Sequence, residues 1–185
     1  MPAKGQIITN PYTGDSYEFL ETASDTDGAF VSMKATLKSK GPVVPRHFHV
    51  LQDETFDIIS GQLTFDKDGK ITTLSAGEKI TLPKNVPHNH YNSADEEVVY
   101  IHSVKPALDF DYLIENLIGL IADGKAKNGK PGLVQELVSV KYLSSKSYLA
   151  DIPLGVQKIL ANVIAPVARL FGYRAIYRKY SGIEK

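Results

Sequence analysis

The chain has no cysteine. Disulfides and thiolate metal ligation are therefore excluded, and cysteine usage assigns no redox compartment. Net charge is also absent, since 21 Lys/Arg balance 21 Asp/Glu, and no nucleic-acid-binding motif is present. Long apolar runs are missing too. The most apolar stretch, Ile152 to Tyr173, has only Lys158 and Arg169 as charges, yet Gln157, Lys158, Asn162, Pro166 and Arg169 break it well short of the ~20 residues that span a bilayer. The first residues, Met1-Pro2-Ala3-Lys4-Gly5-Gln6, lack the apolar segment of a secretory leader, so a cytoplasmic location is expected. There is no internal repeat and no low-complexity stretch.

What is present fits an ordinary soluble protein: 185 residues, 43% hydrophobic and 23% charged. That length allows one well-buried domain with an appended subdomain. The two halves differ in charge. Residues 1–104 carry nine Lys/Arg against 14 Asp/Glu, and residues 105–185 carry 12 against seven. An acidic, strand-rich part thus precedes a basic, helical one, and complementarity between them is the simplest account.

Strand signals begin at Gln6 to Ile8 and Ser16 to Leu20, separated by turns, and suggest an edge or arm. From Phe30 to Lys38, Val31, Met33, Ala35 and Leu37 alternate with Ser32, Lys34, Thr36 and Lys38, the pattern of a half-buried strand. Further short strands are expected at Glu54 to Ser60, Gln62 to Phe65, Lys70 to Leu74, Lys79 to Leu82, His88 to Asn92 and Glu97 to Val104. Asp66-Lys67-Asp68-Gly69 predicts a hairpin turn. This regular punctuation predicts a closed or sandwiched antiparallel barrel.

Four of the five histidines lie between Gly41 and Asn92. In an extended segment His47 and His49 point the same way, with Phe48 opposite. Glu54 follows at a distance that returns it to the same sheet, Gly61 supplies a tight turn, and His88 arrives from another strand after Pro83-Lys84-Asn85 and Val86-Pro87. Together these residues read as one metal site. Phe56 and Ile58 share the face of Glu54 and are expected to line the pocket beside it. His90, two positions past His88, is expected to face the same interior as a proton shuttle or a hydrogen-bonding partner. On the last strand neither Val98, Tyr100, His102 and Val104 nor Val99, Ile101 and Ser103 form an obviously polar face, and His102 is left out of the site.

The two blocks, Gly41 to Gly61 and Gly77 to Asn92, resemble the cupin superfamily over roughly residues 25 to 104. The resemblance implies a jelly-roll β-barrel with His47, His49, Glu54 and His88 as metal ligands and Asn92 as the asparagine that closes the second motif. It also implies a homodimer. Asn85 stands where the family usually has glycine, and asparagine tolerates the positive φ that such a turn requires. Three imidazoles and a carboxylate suit one divalent Fe, Mn, Zn, Ni, Co or Cu ion per chain and suit Ca²⁺ or Mg²⁺ poorly. The expected function is a metal-dependent, dioxygenase-like oxidoreductase acting on a small chelating organic molecule, with Glu54 and His90 as catalytic groups. The alternative is a noncatalytic small-molecule-binding module.

After Lys105-Pro106 the apolar period changes from two to about 3.6. Residues 105–185 are therefore expected to form about three helices. The first runs through Phe110, Leu113, Leu117 and Ile121 to a stop at Gly124, and a basic loop, Lys125 to Lys130, follows. Pro131 is expected in the first turn of the second helix. A third is expected from near Asp151 through Ile159, Val163, Val167 and Leu170, with a kink at Pro166. These apolar stripes are expected to pack on the barrel or on a dimer partner. Contact of the last helix with an anionic lipid surface is the other reading.

Overall fold

Val31, Met33, Ala35 and Leu37 are all buried, as their alternation requires. A computed structural model describes residues 1–38, 40–42, 45–127 and 130–185. The elements in order are β1 (Ile7–Thr9), β2 (Ser16–Glu21), β3 (Val31–Leu37), β4 (Gly41–Pro42), β5 (His47–His49), β6 (Asp53–Ser60), β7 (Gln62–Lys67), β8 (Lys70–Ser75), β9 (Lys79–Leu82), β10 (His88–Asn92) and β11 (Val98–Lys105). They continue with α1 (Phe110–Ala122), β12 (Ala126–Lys127), β13 (Lys130–Pro131), α2 (Leu133–Tyr142), β14 (Ser147–Leu149), α3 (Leu154–Leu170) and α4 (Arg178–Ser181). Of the expected basic loop, Asn128 and Gly129 lie outside the described residues.

Two antiparallel sheets face each other in a cupin-like sandwich. One has the order β1-β2-β3-β11-β6-β9, and the other β14-β5-β10-β7-β8 with β4 also on β10. Leu37, Phe56, Leu63, Phe65, Leu82 and Tyr100 fill the space between them. The β7–β8 hairpin pairs Lys67 with Lys70 across Asp68 and Gly69, both at positive φ, which matches the strand twist. Gly61 turns β6 into β7 at φ 74°, and a Cβ there would lie 2.5 Å from the Glu97 carbonyl oxygen. Asn85 takes φ 65°, as expected, and its N–H donates to the His49 carbonyl at 2.7 Å.

The helical segment is not a separate layer. Its short strand β14 pairs with β5 through Ser147↔His49, Tyr148↔Phe48 and Leu149↔His47, so the strand bearing two histidines is flanked by β10 and β14. Buried polar side chains tie the helices to irregular backbone. Asn116 of α1 donates to the Ala175 carbonyl and accepts from the Tyr177 N–H. Gln135 of α2 donates to the Arg174 carbonyl, and Gln157 of α3 bonds both the N–H and the carbonyl of Leu149.

One expectation for this segment changes. Pro131 pairs with Ala126 in the β12–β13 hairpin, and Gly132 precedes α2, so the proline ends a strand instead of opening a helix. Helix α3 runs continuously through Pro166 and docks within the chain by its alanine face, leaving the bulky stripe uncovered. Ala161, Ala165 and Ala168 are buried, whereas Ile159 (65%), Val163 (64%), Val167 (53%) and Leu170 (85%) are exposed. Ala165 and Ala168 join Val138 and Leu143 in one apolar cluster, because small side chains let two helices approach closely. No helix among the described residues is long and apolar enough to cross a membrane.

Asp109, at the start of α1, joins the barrel to this segment. Its carboxylate accepts the N–H groups of Ser144 (2.9 Å) and Ser145 (2.7 Å) and the Lys185 ammonium (2.7 Å). Burial alone would raise its pKa, but these donors outweigh burial and hold it below the ordinary 3.8. A folded-state pKa below the unfolded value means that this stabilisation is present above about pH 4 and is lost as pH falls through the lowered value. Asp109→Asn should therefore destabilise the protein by about 1–3 kcal/mol at pH 7. In urea titrations the gap between the variant and the parent should close on acidification.

Candidate metal centre

Each of the two opposed sheets contributes to a single cluster of donors. His47 and His49 come from β5 and His88 from β10, with His88 directly opposite His47 in the antiparallel pair. Glu54 comes from β6 in the facing sheet. One ligand atom from each of these four residues lies within 4.8 Å of the others. Two donors at about 2.1 Å from one ion are at most about 4.2 Å apart, so movements of some tenths of an ångström would close the group around a cation.

Backbone carbonyls orient two of the rings in the same way. His47 Nδ1 lies 2.8 Å from the Pro45 carbonyl oxygen, and His88 Nδ1 lies 2.8 Å from that of Val86. A carbonyl only accepts, so both Nδ1 atoms carry hydrogen and each Nε2 is directed to the cluster. There His47 Nε2 is 3.2 Å from His49 Nε2, and His88 Nε2 is 2.6 Å from Glu54 Oε2. The second contact needs positive charge between nitrogen and carboxylate, which either a proton or a metal ion supplies.

Protonation follows from burial. Loss of water lowers His47 to about 3 and also lowers His49, so both are neutral at pH 7, as metal ligands must be. Burial opposes protonation of His88 as well, but the hydrogen bond and charge of Glu54 outweigh it and raise the pKa. Burial would raise Glu54, yet the surrounding imidazoles hold its carboxyl well below the usual range. A buried carboxylate beside the neutral rings of His47 and His49 attracts a divalent cation, which would take the place of the proton between Glu54 and His88.

His102 belongs to this arrangement, contrary to the sequence reading. Its Nε2 lies 2.9 Å from Glu54 Oε1, and its ring stacks on Phe56 at 4.4 Å. On β11 Val98, Tyr100, His102 and Val104 are buried while their neighbours are half-buried, so the inward face includes His102.

The other expected site residues lie apart from the donors. His90 lines the same cavity, and its Nε2 is 3.1 Å from Tyr100 Oη. Phe56 packs against Phe65, His90 and His102, and Ile58 sits in the barrel core. Asn92 is fully buried, donating to the Leu37 and Glu96 carbonyls and accepting from the Ala94 N–H, so it closes a turn. Phe56, Ile58 and Asn92 are not among the residues that line the cavity.

Residues 33–104 match the family model described as Cupin domain. They form a cupin domain. Among curated relatives, the cupin-bearing chain is 25% identical over 179 residues to an oxidoreductase, iacF, of Pestalotiopsis fici, covering 86% of this chain and 87% of that one. It is 24% identical over 101 residues to the polyketide synthase CurC of Streptomyces cyaneus, covering 55% and 66%. Among solved structures it is similar to a cupin-superfamily sugar phosphate isomerase of Silicibacter pomeroyi, at TM-score 0.47 and 17% identity over 54% of this chain and 70% of that one.

The donor at Glu54 Oε1 carries a measurable expectation. His102→Ala should weaken Zn²⁺ or Co²⁺ affinity about 10- to 100-fold, because outer partners fix the ligand they hold. Ile58→Val, deep in the barrel, should leave affinity unchanged. Calorimetric titration of the metal-free protein checks both.

Proposed function

We propose that this cupin domain binds one divalent transition metal through His47, His49, Glu54 and His88 and acts as a metal-dependent enzyme on a small organic molecule. The observation that carries the reading is the convergence of four donors, three of them buried, with His47, His49 and Glu54 on the wall of a cavity large enough for such a molecule. When bound, the ion would polarise a substrate oxygen, or bring dioxygen beside the substrate. An oxidoreductase is favoured because the relative of that name aligns well beyond residues 33–104.

The remaining side chains take distinct roles in this reading. Glu54 is a ligand and not a proton acceptor, since its carboxyl is held low and both oxygens are engaged. Burial lowers His90 to about 3, so at neutral pH it shuttles no proton as an imidazolium. Tyr100, with its pKa raised far by burial, keeps its proton, and its hydroxyl is hydrogen-bonded to His90 Nε2. His90 Nδ1 has no partner among the described residues, leaving it to a polar group of the substrate.

Protein purified without chelator should contain close to one transition metal per chain by elemental mass spectrometry, and His47→Ala or His88→Ala should lose it. Full metal retention by both variants would overturn the assignment. Oxygen uptake across catechols, diketones and flavonols then separates the enzyme from a binding module, which would hold a ligand without turnover.

The uncovered face of α3 is assigned to a second copy of the chain. Homodimer interfaces are more apolar than other surfaces, and a self-matching helix face suits a twofold contact. Light scattering should give about twice the 20.3 kDa chain mass, falling toward one chain in Val163→Glu. A monomer that sediments with anionic vesicles would transfer the face to lipid.

A further inference from the structure

The cavity at the histidines measures about 670 Å³, and only part of its wall is barrel. On the barrel side the cavity reaches His90 and Tyr100, behind which Phe56, Ile58, Leu63, Phe65 and Leu82 are at most 1% exposed and pack together. The space opens toward the helical segment. Phe110, the first residue of α1, stands at the junction, with its ring 6.1 Å from that of His49 and 5.6 Å from that of His102. Beyond it the same cavity is lined by Leu117 and Ile121 of α1, Leu137 of α2, Leu149 of β14 and Leu160 of α3. Tyr12 (70% exposed) and Leu133 (55%) also line it and mark where it meets solvent.

We infer that the C-terminal segment builds a second, apolar compartment of the substrate site, so that the substrate is amphipathic. Its oxygen-bearing end lies at the histidine and glutamate donors, and an apolar body extends beneath α1 and α2. The inference rests on the metal-site reading for the first end and on the cavity wall for the second. Aliphatic side chains on three helices and a strand offer such a body only dispersion and release of water, which discriminate by size and shape.

A polar feature at the border agrees. Ser145 lines the cavity and is 3% exposed, yet its hydroxyl has no partner among the described residues. Its own N–H is taken by Asp109, and it lies two residues before Ser147, which pairs with His49. A buried hydroxyl without a partner costs stability that a ligand oxygen would recover.

The test is a series of straight-chain hydroxamates from acetohydroxamate to decanohydroxamate, titrated calorimetrically into full-length protein of measured metal content. The chelating head is constant and only the apolar body grows. Affinity should rise about three- to fourfold per methylene over several methylenes, the increment expected for burial. Leu117→Trp should remove the chain-length gain while leaving metal content and acetohydroxamate affinity unchanged. If that variant does not fold, Leu117→Ala serves, and it should move the optimum to longer chains. Metal-loaded protein that binds acetohydroxamate but gains nothing with chain length overturns the apolar compartment and leaves the metal reading intact. Protein that holds no metal and binds no acetohydroxamate overturns the metal reading, and the amphipathic substrate with it.

Discussion

A charged carboxylate buried between two sheets is the constraint around which the rest is arranged. Glu54 is 3% exposed, and an isolated charge at that depth would cost several kcal/mol. The fold meets the cost from both sides, with His102 at one oxygen and His88 at the other. Placing those rings requires β10 and β11 to lie in opposite sheets with their even-numbered residues turned inward, which their burial alternation displays. The aromatic packing of Phe56 against His90 and His102 holds the interior behind them.

The helical segment obeys a different rule. Helix α1 buries Phe110, Ile118 and Ile121 against the barrel, while α3 relies on alanines for close approach and single amides give specificity. Asn116 and Gln135 satisfy backbone that belongs to no regular ladder, which is why irregular chain such as Arg174 to Tyr177 can lie buried beside helices, and Gln157 holds the end of β14 at Leu149. Asp109 does the same for the approach to β14. These contacts set the helices at the distance that leaves the cavity beneath them.

Much of this was legible in the sequence, and the failures have physical causes. Alternation in Val31 to Leu37, the Asp68-Gly69 turn and the spacing of His47, His49, Glu54 and His88 located the sheets and placed these four donors together. His102 was not legible because both faces of its strand are apolar, and parity has meaning only when one face is polar. For α3 side-chain size left the barrel and a second chain open as partners of the bulky stripe, and within one chain the small face is the one that docks. Ala161, Ala165 and Ala168 contribute little transfer energy each, but they set the helix spacing, and the bulky residues are left outside. The amides failed for a related reason. A glutamine at a helical position looks solvated until its backbone partner, distant in sequence, is known.

The pairing of β14 with β5 places the donors and the helices in one thermodynamic system. The three-residue strand β5 presents His47 and His49 to the cluster while its other edge is held by Ser147 to Leu149. Anything that steadies β5 from the donor side steadies the same hydrogen bonds that seat the helices. By linkage the converse holds, with equal coupling free energy in both directions. A cation at the donors would thus act as a remote clasp on the C-terminal third of the molecule, slowing its local opening and its exposure to proteases, although the ion and most of the helical residues it protects share no contact.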